Sequence, residues 1–423
     1  MTAPAVINEA GGSLAARHAR VRTPLQPTGE NGTMLPNDRR QFLHSAGGLM
    51  ILKPETVFSS QANSALRLGI TGCGGRGHFV GELFQEHVGA RITAVHDPFR
   101  DRTESIVAKL NLKGPKIFTA LDGYRDLAAS EVDAVAVMSP PYFHPEQAEA
   151  AVTAGKHVFL AKPVAVDLAG CQSILASAGR AKGKLTFLVD FQTRARESFH
   201  EAASRVHRGE IGELVLGHVY YHAGRLQPKT DPNASAAQNR LRNWVFDKVL
   251  SGDIIVEQNI HVLDVANWYA QAHPVQASGT GGRKARVDVG DCWDHFLVNF
   301  WYPNGVKVDF SSAQFTRGYN DLCIRFYGSK GTVDSHYNGM VRITGDNPWP
   351  GVEKDDTYRG GSVANVKQFV DSVRGGKHLN NAAASVESNL TAVLGRMAAY
   401  RERTVTWEEM MRSGERFEAG IRL

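Results

Sequence analysis

The chain has 423 residues, 42% hydrophobic and 22% charged, with a formal net charge of +5. That is the balance of a globular protein long enough for two cores, and its Lys and Arg are scattered, which excludes a nucleic-acid footprint. Its four cysteines, Cys73, Cys171, Cys292 and Cys323, lie far apart with no CxxC, so neither a disulfide framework nor a zinc site is expected.

In chain order, residues 1–62 read as a leader. Arg39 and Arg40 precede Phe42, Leu43 and a short glycine-interrupted apolar run, the pattern of a twin-arginine export signal. The alternative is a chance Arg pair on an amphipathic helix. Met34 stands where such a signal begins, residues 1–33 read as an over-extended start or a disordered leader, and cleavage is expected after Ala62. The run is too short to span a membrane, and no other segment is a candidate.

From residue 63 to 190, apolar runs alternate with Ala-rich helical stretches. The runs are LRLGITG, ARITAVHD, VDAVAVMS, KHVFLA and LTFLVDF. Buried strands alternating with helices predict a doubly wound parallel sheet, an α/β Rossmann domain. Gly72-x-Gly74-x-x-Gly77 follows the first run and opens a helix, and Asp97 ends the second. Such glycines permit a tight turn, close approach of a pyrophosphate and close helix–strand packing, while the helix N-terminus offers free N–H groups. Gly72, Gly74, Gly75, Arg76 and Gly77 are therefore expected to bind NAD, with Asp97 on the ribose hydroxyls. Arg100 and Arg102 nearby leave NADP as the alternative. The loop Ser139–Pro140 with His144 is expected to border the nicotinamide, though His144 could instead cap the next helix.

From 191 to 350 the texture changes. LVLGHVYYH, HFLVNFWY, GVKVDFSSAQF and DLCIRFYG alternate apolar with polar residues, and YPNGV marks a hairpin. This predicts an α+β domain whose open, mainly antiparallel sheet has one face on helices, with a homo-oligomer expected to cover the other. Residues 351–423 hold amphipathic helices expected to pack back on both domains.

Three stretches together, Gly72–Gly77 with Asp97, MSPPYFHPEQAEAAVTAGKHVFLAKPVA, and SGDIIVEQNIHVLDVANW, resemble the glucose–fructose oxidoreductase / inositol dehydrogenase / MocA family, from about Leu66 to the C-terminus. The resemblance implies a Rossmann domain joined to an open-sheet domain, and redox chemistry on sugars and polyols with NAD or NADP. The family's Glu-Lys-Pro matches Ala161-Lys162-Pro163, implying Lys162 as the active-site lysine. Its Asp-x-Gly-x-His-x-x-Asp matches Glu257-x-Asn259-x-His261-x-x-Asp264, implying His261 as acid/base. Ala161, Glu257 and Asn259 depart from the pattern.

The residues support a matching physical reading. Removing hydride from a secondary alcohol requires a base for the hydroxyl proton, and imidazole suits neutral pH. Glu257, four residues before His261, is expected on the same helical face, orienting the ring. Lys162, at the carboxyl end of a parallel strand, can polarise the reacting oxygen. The bland alternatives are a core histidine, a structural ion pair and a carboxylate set for packing; a metal site lacks a supporting second His/Cys set. Gln192, Arg194, His222, Arg225, Asn243, Trp244 and Asp264 are the expected substrate contacts, since sugar sites combine polar groups with an aromatic face.

Export through the twin-arginine machinery carries folded proteins, so a tightly bound cofactor can travel to the periplasm, where no free NAD pool exchanges. The expectation is a carbohydrate oxidoreductase that regenerates its nicotinamide in each cycle. The alternatives are an NAD-dependent glycoside hydrolase working through transient oxidation, elimination and re-reduction, and a non-catalytic carbohydrate-binding relative.

Overall fold

A computed structural model describes residues 65–421; the leader, with Arg39, Arg40 and the expected cleavage point, lies outside them. Six strands form one parallel sheet: β1 (Arg67–Thr71), β2 (Arg91–His96), β3 (Lys116–Phe118), β4 (Ala134–Val137), β5 (His157–Ala161) and β6 (Phe187–Asp190). Their order is β3-β2-β1-β4-β5-β6, and every pairing is parallel. This doubly wound order reverses between β1 and β4, where a crevice opens at the carboxyl ends of the strands. β4 and β6 are buried throughout because helices cover both faces, hence their unbroken apolar runs. The sequence reading missed β3, a three-residue edge strand that is largely exposed.

Five helices belong to this half: α1 (Gly75–Val88), α2 (Arg100–Lys109), α3 (Tyr124–Ala129), α4 (His144–Thr153) and α5 (Leu168–Ala181). The next five are α6 (Glu197–His207), α7 (Ala236–Arg242), α8 (Lys248–Ser251), α9 (Ile254–Glu257) and α10 (Ile260–Ala270), followed late in the chain by α11 (Thr357–Arg374) and α12 (Ala382–Arg401).

The second sheet has nine strands: β7 (Leu214–Gly224), β8 (Gln276–Gly282), β9 (His295–Trp301), β10 (Lys307–Thr316), β11 (Asp321–Gly328), β12 (Gly331–His336), β13 (Val341–Gly345), β14 (Trp349–Val352) and β15 (Val405–Thr406). It is antiparallel except at its centre, where β7 pairs parallel with β10. The hairpin at Asn304–Gly305 joins β9 to β10 with both residues at positive φ, 61° and 79°. Leu216, Leu297 and Tyr327 stand exposed on the outer face.

The C-terminal helices fix the cleft. Phe369 of α11 meets Phe84 of α1 and Phe159 of β5 edge-on, at 5.9 and 5.5 Å, each pair contributing about 0.5–1.5 kcal/mol beyond its burial. In α12, Asn389 accepts from Val164 N at 3.0 Å and donates to Ala165 O at 3.2 Å. Arg396 donates to Val166 O at 2.6 Å and to Gly252 O at 2.9 Å. One helix thus ties the turn after Lys162 to the segment that leads into α9.

Candidate active site

β1 is followed by Gly72, whose φ of +85° and crowding against Ser139 N require glycine, and the chain turns straight into α1. Gly74 caps that helix without a side-chain bond, leaving first-turn N–H groups for a ligand. A Cβ on Gly77 would lie 2.1 Å from Gly72 O, whereas one on Gly74 meets nothing within 4 Å. The glycines therefore divide their work: Gly77 serves helix packing, and Gly74 leaves open space where a pyrophosphate fits. Substituting Gly74 with valine should hold unfolding stability within about 0.5 kcal/mol while weakening NADH binding about tenfold or more. Gly77→Ala should itself destabilise by about 1–3 kcal/mol. Thermal unfolding and NADH titration separate the two.

A groove of ≈ 880 Å³ lies over Gly74 and Gly75, with cationic Arg102, Lys109 and Lys229 in its lining. A pyrophosphate supplies the anion that such a lining suits. Asp97 departs from expectation. Its carboxylate accepts from Cys73 N at 2.9 Å and Phe99 N at 3.0 Å, is 2% exposed, and does not line the groove. It braces the loop, and Arg102 stands on the groove side instead. Burial pushes its pKa up, against the pull of Arg102.

The groove runs into a second cavity of ≈ 420 Å³, the two sharing Arg76, Leu226, Trp244, Glu257, Gln258 and Tyr358. Lys162 and His261 both line this pocket. Lys162 Nζ donates to Glu257 O at 2.6 Å and lies 3.5 Å from Glu257 Oε1. Burial lowers its pKa, with the Glu257 charge opposing. Regular helix is interrupted at Gln258–Asn259 before α10 begins, and Glu257 and His261 line the same cavity with Nδ1 of the ring left unpartnered. The carboxylate serves Lys162 rather than orienting the imidazole, a correction to the sequence reading. His261 Nδ1 is buried without a hydrogen-bond partner. Burial first, then the cations of Lys162 and Arg76, hold its pKa well below the usual imidazole value. Both influences favour the neutral ring.

The remaining expected residues divide. Gln192 and Trp244 line the pocket, as does Ser139; Pro140 does not, its neighbour Pro141 taking that place. His144 also reaches it, but its ring nitrogens lie 2.8 Å from Pro163 O and 2.8 Å from Ser139 O. It braces the two loops that meet beside Lys162, and burial pulls its pKa down to about 4. Arg194 and Asp264 pair with each other at 2.9 Å, outside the cavity. Asn243 spends its amide on Lys229 N, Thr230 and Asn239 O. His222 stacks on Tyr220 and meets Ser311, and Arg225 pairs with Asp288, neither in the pocket. The period-2 pleat explains His222: within YYH, Tyr221 points into the pocket and its neighbours point away.

Tyr221, Tyr337, Tyr358 and Asp190 line the pocket without having been anticipated. For Asp190 the signal was available, a carboxylate at the carboxyl end of a buried strand. Cys323 likewise comes within 4.8 Å of ligand atoms of Asp334 and His336 on the outer sheet, a grouping invisible in the spacing. There His336 meets Asp321 at 2.7 Å and Arg325 meets Asp334 at 2.9 Å, so the charges compensate one another. All four cysteines are free and buried.

A glycine-cradled dinucleotide groove that opens onto an ammonium and an unpartnered imidazole defines an oxidoreductase of the nicotinamide-dependent class. Residues 66–189 match the model of the oxidoreductase family with an NAD-binding Rossmann fold, GFO/IDH/MocA, and residues 199–334 match a GFO/IDH/MocA C-terminal domain. The chain belongs to this family. It is 25% identical to inositol 2-dehydrogenase of Pseudomonas syringae pv. syringae over 319 residues, 74% of this chain and 87% of that one. It is 28% identical to inositol 2-dehydrogenase of Rhizobium meliloti over 66% of this chain and 79% of the relative. In fold it matches scyllo-inositol dehydrogenase from Lactobacillus casei, solved with bound NAD(H) and scyllo-inositol, at TM-score 0.65 and 18% identity, covering 81% of this chain and 99% of the other.

Proposed function

We propose that this protein is an exported oxidoreductase that moves hydride between a secondary alcohol carbon of a polyol, sugar or glycoside and an NAD it holds tightly. The observation that carries the proposal is the meeting of Lys162 and His261 in one cavity continuous with the glycine-loop groove. Bound NAD supplies the hydride acceptor or, when reduced, the donor. His261 takes the hydroxyl proton as the C–H electron pair leaves, so an alcohol becomes a ketone and the proton rests on the imidazole. Lys162, held by Glu257, donates to the developing alkoxide. Tyr221, Tyr337 and Trp244 offer aromatic faces to an apolar ring face, and Gln192 and Gln258 offer amides to hydroxyls. The inositol dehydrogenases among the relatives support a cyclic polyol as the first substrate to try. Export rests on Arg39–Arg40, and pairing of the exposed outer sheet with a second copy is part of the same proposal.

Mass spectrometry of the purified protein, followed by turnover on inositols, free sugars and aryl glycosides, tests this reading. A co-purifying nicotinamide that is reduced by a polyol or sugar is the expected outcome. Aryl glycosides cleaved without net reduction would replace it with redox-assisted glycoside hydrolysis. A protein that neither carries nor binds NAD would overturn it.

A further inference from the structure

We infer that Asp190 and Arg76 form a positioning pair for the reaction: Asp190 supplies, from the neighbouring strand, the carboxylate that Ala161 lacks, and holds Arg76 at the seam between groove and pocket. This rests on the hydride-transfer reading above and deepens it.

Three observations converge. First, β5 and β6 pair in register with Ala161 opposite Asp190, and both residues line the pocket. Position 161 is where the family pattern has glutamate. A carboxylate is thus present at the same strand-end level, one strand across. Second, Asp190 is 1% exposed, and its carboxylate accepts from Arg76, from Gln192 Nε2 at 3.3 Å and from Asn365 Nδ2 at 2.8 Å. A carboxylate buried this deeply needs charged and polar partners to compensate its desolvation, and Arg76 is the charged one. Third, Arg76 sits in the first turn of α1, where the helix dipole disfavours a cation. It is held there from across the cleft, by Asp190 and by Ser362 Oγ at 3.1 Å, with Phe79 and Tyr358 rings 5.1 and 5.6 Å from its guanidinium. Arg76 lines both cavities.

The pocket lining then contains two ion pairs, Lys162–Glu257 and Arg76–Asp190, together with His261. The titratable groups that line the cavity with that ring are Arg76 from α1, His144 from α4, Lys162 after β5, Asp190 from β6, Glu257 from α9, Tyr221 from β7, Tyr337 after β12 and Tyr358 from α11. Asp264, on the ring's own helix, is neutralised by Arg194. Burial first, and then the two cations, favour the unprotonated His261 ring, while Glu257 and, more weakly, Asp190 favour the charged form of Lys162 against burial and Arg76. The pair therefore contributes to both limbs of the pH profile, in opposite ways. Without Arg76, His261 holds its proton more tightly and the acid limb moves up. Without Asp190, Arg76 stands unopposed beside Lys162 and the alkaline limb moves down.

The experiment compares Asp190→Asn, Arg76→Met, Arg76→Lys, Ala161→Glu and the double variant Ala161→Glu/Asp190→Asn, each checked by thermal unfolding. NADH binding is titrated without substrate, and kcat/KM against pH is recorded with the best polyol. Arg76→Met should weaken NADH binding about tenfold and raise the acid limb by about one pH unit, while Arg76→Lys keeps the limb in place. Asp190→Asn, which releases Arg76, should weaken NADH binding about threefold and lower the alkaline limb by about one unit, and returning a carboxylate at position 161 should recover most of the lost binding and turnover. Ala161→Glu alone, adding a second buried carboxylate beside Asp190, should impair turnover. Unmoved limbs in Asp190→Asn and Arg76→Met, or a double variant no better than Asp190→Asn, would overturn the inference. If no substrate is turned over by the unaltered protein, the hydride reading falls. NADH binding then decides the pair by itself: recovery in the double variant supports it, and no recovery overturns it.

Discussion

Replacing His261 with alanine should lower kcat for the polyol or sugar by about 10²–10⁴-fold, the usual loss when a positioned general base is removed. NADH affinity should stay within about threefold, a change under 1 kcal/mol, because His261 lines the reaction pocket and not the groove over the glycine loop. The pH profile gives the finer check. The base works only when unprotonated, and burial together with Lys162 and Arg76 depresses the His261 pKa. The unaltered protein should therefore keep its oxidation rate into mild acid and lose it only as pH falls through that lowered pKa. In His261→Ala this acid limb should vanish. Steady-state kinetics across pH, with NADH titration alongside, measures all three effects.

Replacing Lys162 with methionine should cost about 10²–10³-fold in kcat, the loss seen when one donor to a developing oxyanion is removed. Methionine fills similar space, so packing survives, but the pocket-facing Glu257 carboxylate loses its partner 3.5 Å away. A moderate stability loss of about 1–3 kcal/mol should accompany it, the cost of leaving a partly buried charge unpaired. A drop in kcat with KM little changed would place Lys162 in the transition state rather than in ground-state binding. Calorimetry with steady-state kinetics distinguishes that outcome from simple unfolding.

Much of this architecture was legible because its signals are local. Strands buried on both faces must be apolar without alternation, which marked β1, β2, β4, β5 and β6. The three glycines fell between a strand and a helix, where their separate duties have physical meaning. β3 escaped because three residues at a sheet edge leave no pattern, and the parallel β7–β10 pairing escaped because its partners lie 91 residues apart at His218 and Asp309. Within the site, Lys162, Glu257 and His261 were identified as a set, but their wiring was not. Helical spacing suggested that Glu257 orients His261, whereas the carboxylate pairs with Lys162 across the cavity. Arg194 and Asp264 illustrate the same limit: two polar residues, 70 apart in sequence, each looked available for substrate, and the fold spends them on each other. Asp190 shows the opposite lesson. The rule that ligands gather at the carboxyl ends of parallel strands was applied to β5 and not carried one strand further.

The most direct test of the central claim is rapid mixing of NAD-loaded protein with the preferred polyol, protiated or deuterated at the reacting carbon, while reduced-nicotinamide absorbance is followed. The account predicts a rise in absorbance that is slowed by deuterium and abolished in His261→Ala. Protein with NAD bound that shows no reduction with any polyol, sugar or glycoside would contradict it.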